Sequence, residues 1–245
     1  MTLDFGRAFK YIFEDEEWPT KVLLAAVIGM VPVLNFAFLG YQLEILRNVS
    51  EGKDRPLPTW DDLKDKFLFG LPLGVLNLVL GLFMGISIFT LVFVVWGVAF
   101  YLIMLAAHRS SAGIEFGSWI MFFVLVVGAV IFILFLVLIL LRFLLYPAWM
   151  IRYARTGDWH SFFEIEKLFG FIRERLGTYL LALLVVTGLS LILPFFMLIL
   201  AFPFMLMPFI GSIASWLLMI LVTSIMGLFS AHLFGQLASE QPKTF

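Results

Sequence analysis

Long apolar runs alternate with short polar stretches along this chain. The apolar runs cover residues 22–46, 67–107, 117–151, 178–200 and 209–235. A transmembrane helix needs roughly 20 mostly apolar residues. Residues 67–107 carry no charge over about twice that length, so this run is interpreted as two helices. The pattern therefore predicts six transmembrane segments.

The middle of the run at residues 67–107 contains three small residues, Gly81, Gly85 and Ser87. Small residues of this kind favour turns, so they predict a tight turn between two helices. Further along the chain, Pro203 and Pro208 predict a short connection between the last two segments.

Pro32 interrupts the first apolar run. Proline lacks the amide hydrogen that a continuous helix needs, and its ring crowds the preceding turn. We therefore expect a kink or break between Gly29 and Asn35. Whether residues 22–46 then cross the membrane or fold back is left open by the sequence.

The polar stretches before three of the apolar runs have the spacing of amphipathic helices. Apolar residues share one helical face in residues 5–13, 60–71 and 161–176, and charged residues fall largely elsewhere. An apolar stripe backed by charges suits the headgroup boundary of a bilayer. The sequence thus predicts three interfacial helices in addition to the six membrane segments.

Two of these stretches contain a helix-capping pattern. Thr59 stands three residues before Asp62, and Ser161 stands three residues before Glu164. In this pattern the hydroxyl accepts a hydrogen bond from an early backbone amide. Helices are therefore expected to begin within about two residues of Thr59 and Ser161.

Composition places the chain among membrane proteins. Of its 245 residues, 62% are hydrophobic and 13% are charged, which leaves too much apolar surface for a soluble domain. The expected fold is all-α, a single integral membrane domain over residues 1–245 with peripheral ends at 1–18 and 237–245. A net charge of −1 predicts no nucleic-acid partner. The acidic first 18 residues do not have the pattern of a cleaved signal peptide.

Several short motifs occur in a characteristic order. They are DFGRAFKYIFEDEEW at residues 4–18, GY at 40–41, RPLPTWDD at 55–62, YARTGDW at 153–159, Tyr179 and HLFGQ at 232–236. With these motifs the chain resembles the prokaryotic membrane family catalogued as domain of unknown function 4013. The resemblance implies a multi-pass protein of the bacterial or archaeal plasma membrane, and it supplies no catalytic residues.

An acidic cluster and the histidines give no firm evidence of catalysis or metal binding. A divalent cation could be held by Asp61, Asp62 and Asp65. These acids are better explained as the start of a helix, whose dipole they complement, and the neighbouring Lys64 and Lys66 would weaken a cation site. The three histidines are scattered, and the chain has no cysteine. No catalytic residue, metal site or cofactor is predicted.

Three polar residues lie inside predicted membrane segments. Arg142 could mark a functional site, but nearby Tyr146 and Trp149 favour a side chain that extends to the membrane interface. Asn35 and Asn77 could line a polar pathway, but such residues more often form hydrogen bonds between helices. Asn35 could also bond carbonyl groups that a kink at Pro32 would free.

Four arginines follow the third apolar block. Arg152, Arg155, Arg173 and Arg175 are candidates for contacts with lipid phosphates, because the guanidinium group binds phosphate through two hydrogen bonds. The alternative is an ordinary basic boundary next to a membrane helix.

The function that these features favour is a non-enzymatic membrane protein that organises lipid or a membrane partner. The alternative is a small transporter or channel subunit with a polar pathway near Asn35, Asn77 and Arg142. Membrane lipids are the expected partners, and a protein partner or a homo-oligomer is left open. With six crossings, nine Lys and Arg lie on one side and six on the other, so charge does not fix the orientation.

Overall fold

The computed structural model describes residues 3–107, 111–205 and 210–239. The described residues form eight α-helices and one short 3₁₀ helix at Trp159–Phe163, with no strand. The predicted all-α class is therefore confirmed. The helices are α1 (Phe5–Phe13), α2 (Trp18–Met30), α3 (Asn35–Ser50), α4 (Leu63–Ala107), α5 (Ser111–Thr156), α6 (Ile165–Glu174), α7 (Leu176–Met205) and α8 (Ile210–Ser239).

Four helices in the described part of the chain are long and apolar enough to cross a membrane. The segments concerned are Leu63–Met104, Ser118–Thr156, Leu176–Met197 and Gly211–Ser239. The predicted number of six membrane segments is therefore not confirmed. The difference arises in the first two apolar runs.

The run at residues 67–107 forms one helix, so the predicted turn is wrong. Gly81, Gly85 and Ser87 all lie within α4. A glycine costs a helix only about 1 kcal/mol, whereas an unpaired backbone amide in hydrocarbon costs several. Ser87 also donates its hydroxyl hydrogen to the carbonyl of Phe83, one turn earlier, at 2.8 Å. Continuing the helix therefore keeps the backbone amides of this stretch paired.

The first apolar run is divided between two short helices, and the predicted break at Pro32 is confirmed. Helix α2 ends at Met30 and α3 begins at Asn35. The Asn35 side-chain amide donates a hydrogen bond to the carbonyl of Gly29 at 2.7 Å. Asn35 thus satisfies a carbonyl at the end of α2.

Helices α2 and α3 pack against each other and against α8. The chain that follows α3 returns to the start of α2, because the Trp60 indole donates a hydrogen bond to the Lys21 carbonyl at 3.0 Å. Residues 22–46 therefore fold back as a helical hairpin.

The chain forms two compact units. Unit 1 comprises Met1–Val75 and Pro147–Phe245, and unit 2 comprises Leu76–Tyr146. The core of unit 1 joins α1, α2 and α3 to α8 through buried residues such as Tyr11, Ala25 and Leu228. Unit 2 consists of the second part of α4 and the first part of α5, and most of its large apolar side chains are exposed.

The three predicted interfacial helices have different outcomes. The first is α1, but it runs alongside α8, because Asp4 bonds Gln236 and the ring of Phe9 stacks on Phe229. Its apolar stripe is therefore only partly covered by protein, since Ile12 is buried whereas Phe13 is 52% exposed. The second is the beginning of α4 and no separate helix. The third forms as the 3₁₀ helix followed by α6.

Neither predicted capping residue occupies a cap. Helix α4 begins at Leu63, four residues after Thr59, because residues 56–60 are held by distant parts of the chain. Ser161 lies inside the 3₁₀ helix, and Asp158 caps that helix by accepting a hydrogen bond from the His160 amide. Helix α6 has no side-chain cap.

Candidate functional site

Four polar segments meet in unit 1, and we call the region they form the polar end. They are residues 3–21, 47–66, 152–176 and 236–239. Four hydrogen bonds connect these segments. They join Asp4 to Gln236, Trp60 to Lys21, Arg47 to Ala154 and Arg175 to Leu237. Stretches far apart in the sequence therefore build one surface.

Gln236 joins the two ends of the described chain. Its side-chain oxygen accepts a hydrogen bond from the Asp4 amide, and its side-chain nitrogen donates to the Asp4 carbonyl, both at 2.9 Å. Tyr11 adds a second connection by donating its hydroxyl hydrogen to the carbonyl of Leu228 at 2.9 Å. These contacts fix α1 against the last turns of α8.

The proline-rich stretch at residues 56–60 braces the α2–α3 hairpin. Proline has no amide hydrogen, but its carbonyl still accepts hydrogen bonds. Tyr41 donates to the Pro58 carbonyl and Asn48 donates to the Pro56 carbonyl, both at 3.0 Å. The ring of Trp60 stacks on Tyr41 with 4.1 Å between ring centroids. The stretch is thus part of the core and not a loose loop.

Two ion pairs, one buried and one partly buried, stabilise this region. The Lys21 ammonium lies 2.7 Å from Asp15, and the Lys66 ammonium lies 2.6 Å from Glu44. Burial opposes ionisation of the Asp15 carboxyl. Hydrogen bonds from the Lys21 side chain and the Glu17 amide, with the nearby positive charges, outweigh it and lower the pKa of Asp15.

The four arginines predicted to contact lipid phosphates have different environments. Arg152 is 3% exposed and pairs with Glu164, so it is directed into the protein. Arg155 is half-buried, as is Arg175, which donates a hydrogen bond to the Leu237 carbonyl at 3.2 Å. Arg173 is exposed. Of the four, Arg173 therefore has the side chain most open to a lipid headgroup.

Arg47 contributes to the same region and was not predicted. Its side chain donates a hydrogen bond to the Ala154 carbonyl at 2.6 Å, and its guanidinium lies 4.5 Å from the centre of the Phe69 ring. It connects the end of α3 to α4 and α5. Its position at the end of an apolar run was the sequence signal that could have revealed it.

The segment at residues 159–176 exposes large apolar side chains next to charged ones. Leu168, Phe171 and Ile172 face the protein and are buried. Five others are exposed: Trp159 at 51%, Phe163 at 69%, Ile165 at 45%, Phe169 at 42% and Leu176 at 49%. Two basic residues are exposed beside them, Arg173 and Lys167, and the Lys167 ammonium pairs with Glu164 at 2.8 Å. The acidic residues Glu166 and Glu174 are exposed there as well. We call this surface the aromatic–basic surface.

The three intramembrane polar residues are not gathered into one pathway within either unit. Asn35 belongs to unit 1 and bonds Gly29, as described above. In unit 2, the Asn77 amide lies 3.5 Å from the Tyr146 hydroxyl, and Arg142 lies 3.4 Å from the sulfur of Met84. A cavity of about 520 Å³ beside Asn77 is otherwise lined by apolar residues and glycines.

The acidic cluster has the features of a solvated helix start. Asp61, Asp62 and Asp65 are exposed, and the Asp62 carbonyl accepts the first hydrogen bond at the start of α4, from Lys66. Among the residues that the structure describes, no three His, Cys, Asp or Glu side chains are grouped so that they could hold a metal ion.

Four potential membrane helices and one polar end define the class of the protein, an all-helical membrane-associated protein of unknown activity. The chain belongs to the family described as Protein of unknown function (DUF4013), whose model matches residues 23–202. The DFG and HLFGQ motifs, which Gln236 brings together, lie outside the matched range. No curated protein and no solved structure matches the chain.

Proposed function

We propose that this protein is a non-enzymatic component of the prokaryotic plasma membrane that organises anionic lipid at one membrane interface. The aromatic–basic surface carries the proposal. Exposed aromatic side chains suit the headgroup boundary, and basic residues near it attract anionic lipid at about 1 kcal/mol each. Phe163 and Phe169 would enter the acyl boundary while Arg173 remains among the phosphates. Lys167 would join it by exchanging its exposed pair with Glu164 for a phosphate.

The internal contacts of the polar end support a binding role over catalysis. Asp15, Lys21, Glu44, Lys66 and Arg152 are occupied by ion pairs within the protein. Groups that are held in this way support the fold, and they are not free to move protons to and from a substrate. Transport is not favoured either, because the cavity beside Asn77 is mostly apolar.

Lipid recovered with the purified protein tests the proposal. The double variant Lys167→Gln with Arg173→Gln should lose most of the enrichment of anionic over zwitterionic lipid, measured by mass spectrometry after mild detergent extraction. Lys64→Gln is a matched control, since Lys64 is exposed at the polar end but lies outside the aromatic–basic surface. Equal lipid profiles for the double variant and the unmodified protein would rule out this role.

The depth of the aromatic–basic surface gives a second test. The chain has no cysteine, so a single nitroxide can be attached at any chosen position. Labels at Phe163 and Phe169 should collide more with oxygen, which dissolves in lipid, than with a water-soluble nickel complex. A label at Glu166 should show the reverse preference. Equal preferences at all three positions would place the segment in water and contradict the proposal.

A further inference from the structure

A cavity of about 390 Å³ with many polar lining residues opens at the polar end. None of its lining residues belongs to the segment that forms the aromatic–basic surface. The beginning of α1, the end of α3 with the residues after it, and the end of α8 form its walls. Its deepest residues are Tyr11, His232 and Gln236, which are all buried. Four charged residues, Asp4, Arg7, Lys53 and Asp54, line it nearer the surface.

The hydrogen bonds of Gln236 determine which nitrogen of His232 carries a proton. Its side-chain oxygen is fixed by the Asp4 amide and its nitrogen by the Asp4 carbonyl, so the amide orientation is set. That nitrogen also lies 3.2 Å from Nδ1 of His232. Because an amide nitrogen only donates, Nδ1 must accept, and the neutral ring carries its hydrogen on Nε2.

His232 therefore offers the cavity one hydrogen-bond donor on a largely buried ring. Its ring is 3% exposed and stacks on Tyr11 with 4.4 Å between ring centroids, which fixes its plane. Within the described residues, no hydrogen bond is made by Nε2. An unpaired donor that lines a cavity stabilises an acceptor oxygen that enters it.

The charged residues around the opening have both signs. The Arg7 guanidinium forms no ion pair with any residue in the described ranges, and Lys53 contacts Asn48 and Glu51 with a half-exposed side chain. Asp4 uses one carboxylate oxygen to accept a hydrogen bond from the Arg7 amide. A ligand carrying only negative charge would also meet the carboxylates of Asp4 and Asp54.

We propose that this cavity binds a phosphate group that has a positive charge next to it, the chemistry of phosphoethanolamine. Arg7 and Nε2 of His232 hold the phosphate oxygens, and Asp54 faces the ammonium group. Arginine suits phosphate because its planar group donates two parallel hydrogen bonds. The site is independent of the proposed function, since it shares no residue with the aromatic–basic surface.

Ligand titrations of the full chain in detergent test the site, with thermal stability as the readout. The probes are a short-chain phosphatidylethanolamine, a short-chain phosphatidylglycerol, phosphoethanolamine and inorganic phosphate. Arg7→Gln should weaken phosphatidylethanolamine binding about tenfold or more. Lys10→Gln, which changes a basic residue of the same helix outside the cavity, should leave it unchanged.

The comparison among probes decides the source and the charge of the ligand. Saturation by phosphatidylethanolamine alone assigns the cavity to a lipid headgroup, and equal saturation by phosphoethanolamine assigns it to a soluble compound. Asp54→Asn should reduce the preference for phosphatidylethanolamine over phosphatidylglycerol. The proposal is overturned if no probe saturates, if the two lipids bind equally, or if Arg7→Gln and Lys10→Gln have the same effect.

Discussion

Tyr41, Asn48 and Gln236 each hold a backbone group that lies elsewhere in the chain. Their partners are 17, 8 and 232 residues away, respectively. Hydrogen bonds of this kind contribute about 1 kcal/mol each, but a buried group left without its partner costs about 1–3 kcal/mol. The polar end is therefore specified by a few side chains that bond particular backbone groups.

The buried pair of Asp15 and Lys21 gives a prediction at this scale. Asp15→Ala should destabilise the protein by about 3 kcal/mol, because it removes the closest partner of a buried ammonium group. Glu51→Ala should cost less than about 1 kcal/mol, since its pair with Lys53 is half exposed. Thermal unfolding in detergent measures the stability of both variants. Similar losses of stability would show that burial does not strengthen the Asp15–Lys21 pair.

The same pair predicts how stability depends on pH. The pKa of Asp15 is lower in the folded protein than its ordinary value of 3.8, so the carboxylate stabilises the fold at any pH above that value. This contribution is lost as pH falls through the lowered pKa. A series of melting temperatures from pH 7 to about pH 3 should fall less steeply for Asp15→Asn than for the unmodified protein. Parallel curves would contradict this assignment.

Sequence reasoning reached some residue roles and missed others for a physical reason. The bond that Asn35 makes at the Pro32 break is among the roles that the sequence suggests for it, because Asn35 and its partner Gly29 are close in the chain. The roles of Tyr41 and Gln236 were not predicted, since their partners are brought near only by the fold. The same distance explains the error at Thr59, whose surroundings are set by Tyr41, Asn48 and Lys21.

At the scale of helices, α3 and α4 approach each other closely at two glycines. A side chain at Gly40 would collide with the Lys66 carbonyl, and one at Gly70 would collide with the Phe36 carbonyl. Both contacts involve backbone atoms, which cannot turn away as a side chain can. The two helices approach so closely because each has a glycine at the crossing point.

Gly40→Ala is therefore expected to destabilise unit 1 strongly, by about 3 kcal/mol or more, because the helix backbones must separate. Gly81→Ala is the matched control, since it is also a helical glycine and has no atom within 4 Å of the added carbon. It should be neutral or stabilising by up to about 1 kcal/mol. Melting temperatures of the two variants distinguish the cases, and equal losses would contradict this account of the crossing.

The helices themselves were predictable to different degrees. The apolar runs at residues 178–200 and 209–235 appear as α7 and α8 with small shifts at their ends. The prediction of two helices in the run at 67–107 is wrong. Glycine seldom ends a helix in lipid, because an unpaired backbone amide is costly there. Helix α6 was anticipated from its periodicity, but its exposed aromatic side could not be separated from its buried side without the contacts of α7.

For the whole molecule, the hairpin of α2 and α3 changes the distribution of charge. Of the 16 Lys and Arg, Arg142 lies inside α5, and Arg109 and Lys243 lie outside the described residues. The other 13 all belong to the polar end, whereas six crossings would have divided these 13 eight to five. The positive-inside rule then predicts that the polar end lies in the cytoplasm.

Sided labelling of single cysteines measures this orientation. Cysteines at Lys53 and Lys167, both exposed at the polar end, should react with a membrane-impermeant maleimide only after the cells are permeabilised. An intact-cell reaction at both positions would invert the orientation. A reaction at only one of them would contradict a single polar end. A cysteine at Phe89, which is exposed within a membrane span, serves as the unreactive control.

The packing of the first three helices on α8 has a consequence for biosynthesis. Asp4 leaves the ribosome 232 residues before Gln236, which at a synthesis rate of about 5–20 residues per second is a delay of roughly 10–50 s. During that interval α1, α2 and α3 have emerged without the helix that covers them. A nascent chain arrested before α8 should consequently be a substrate for membrane proteases, and release of α8 should be the event that makes the N-terminal helices resistant.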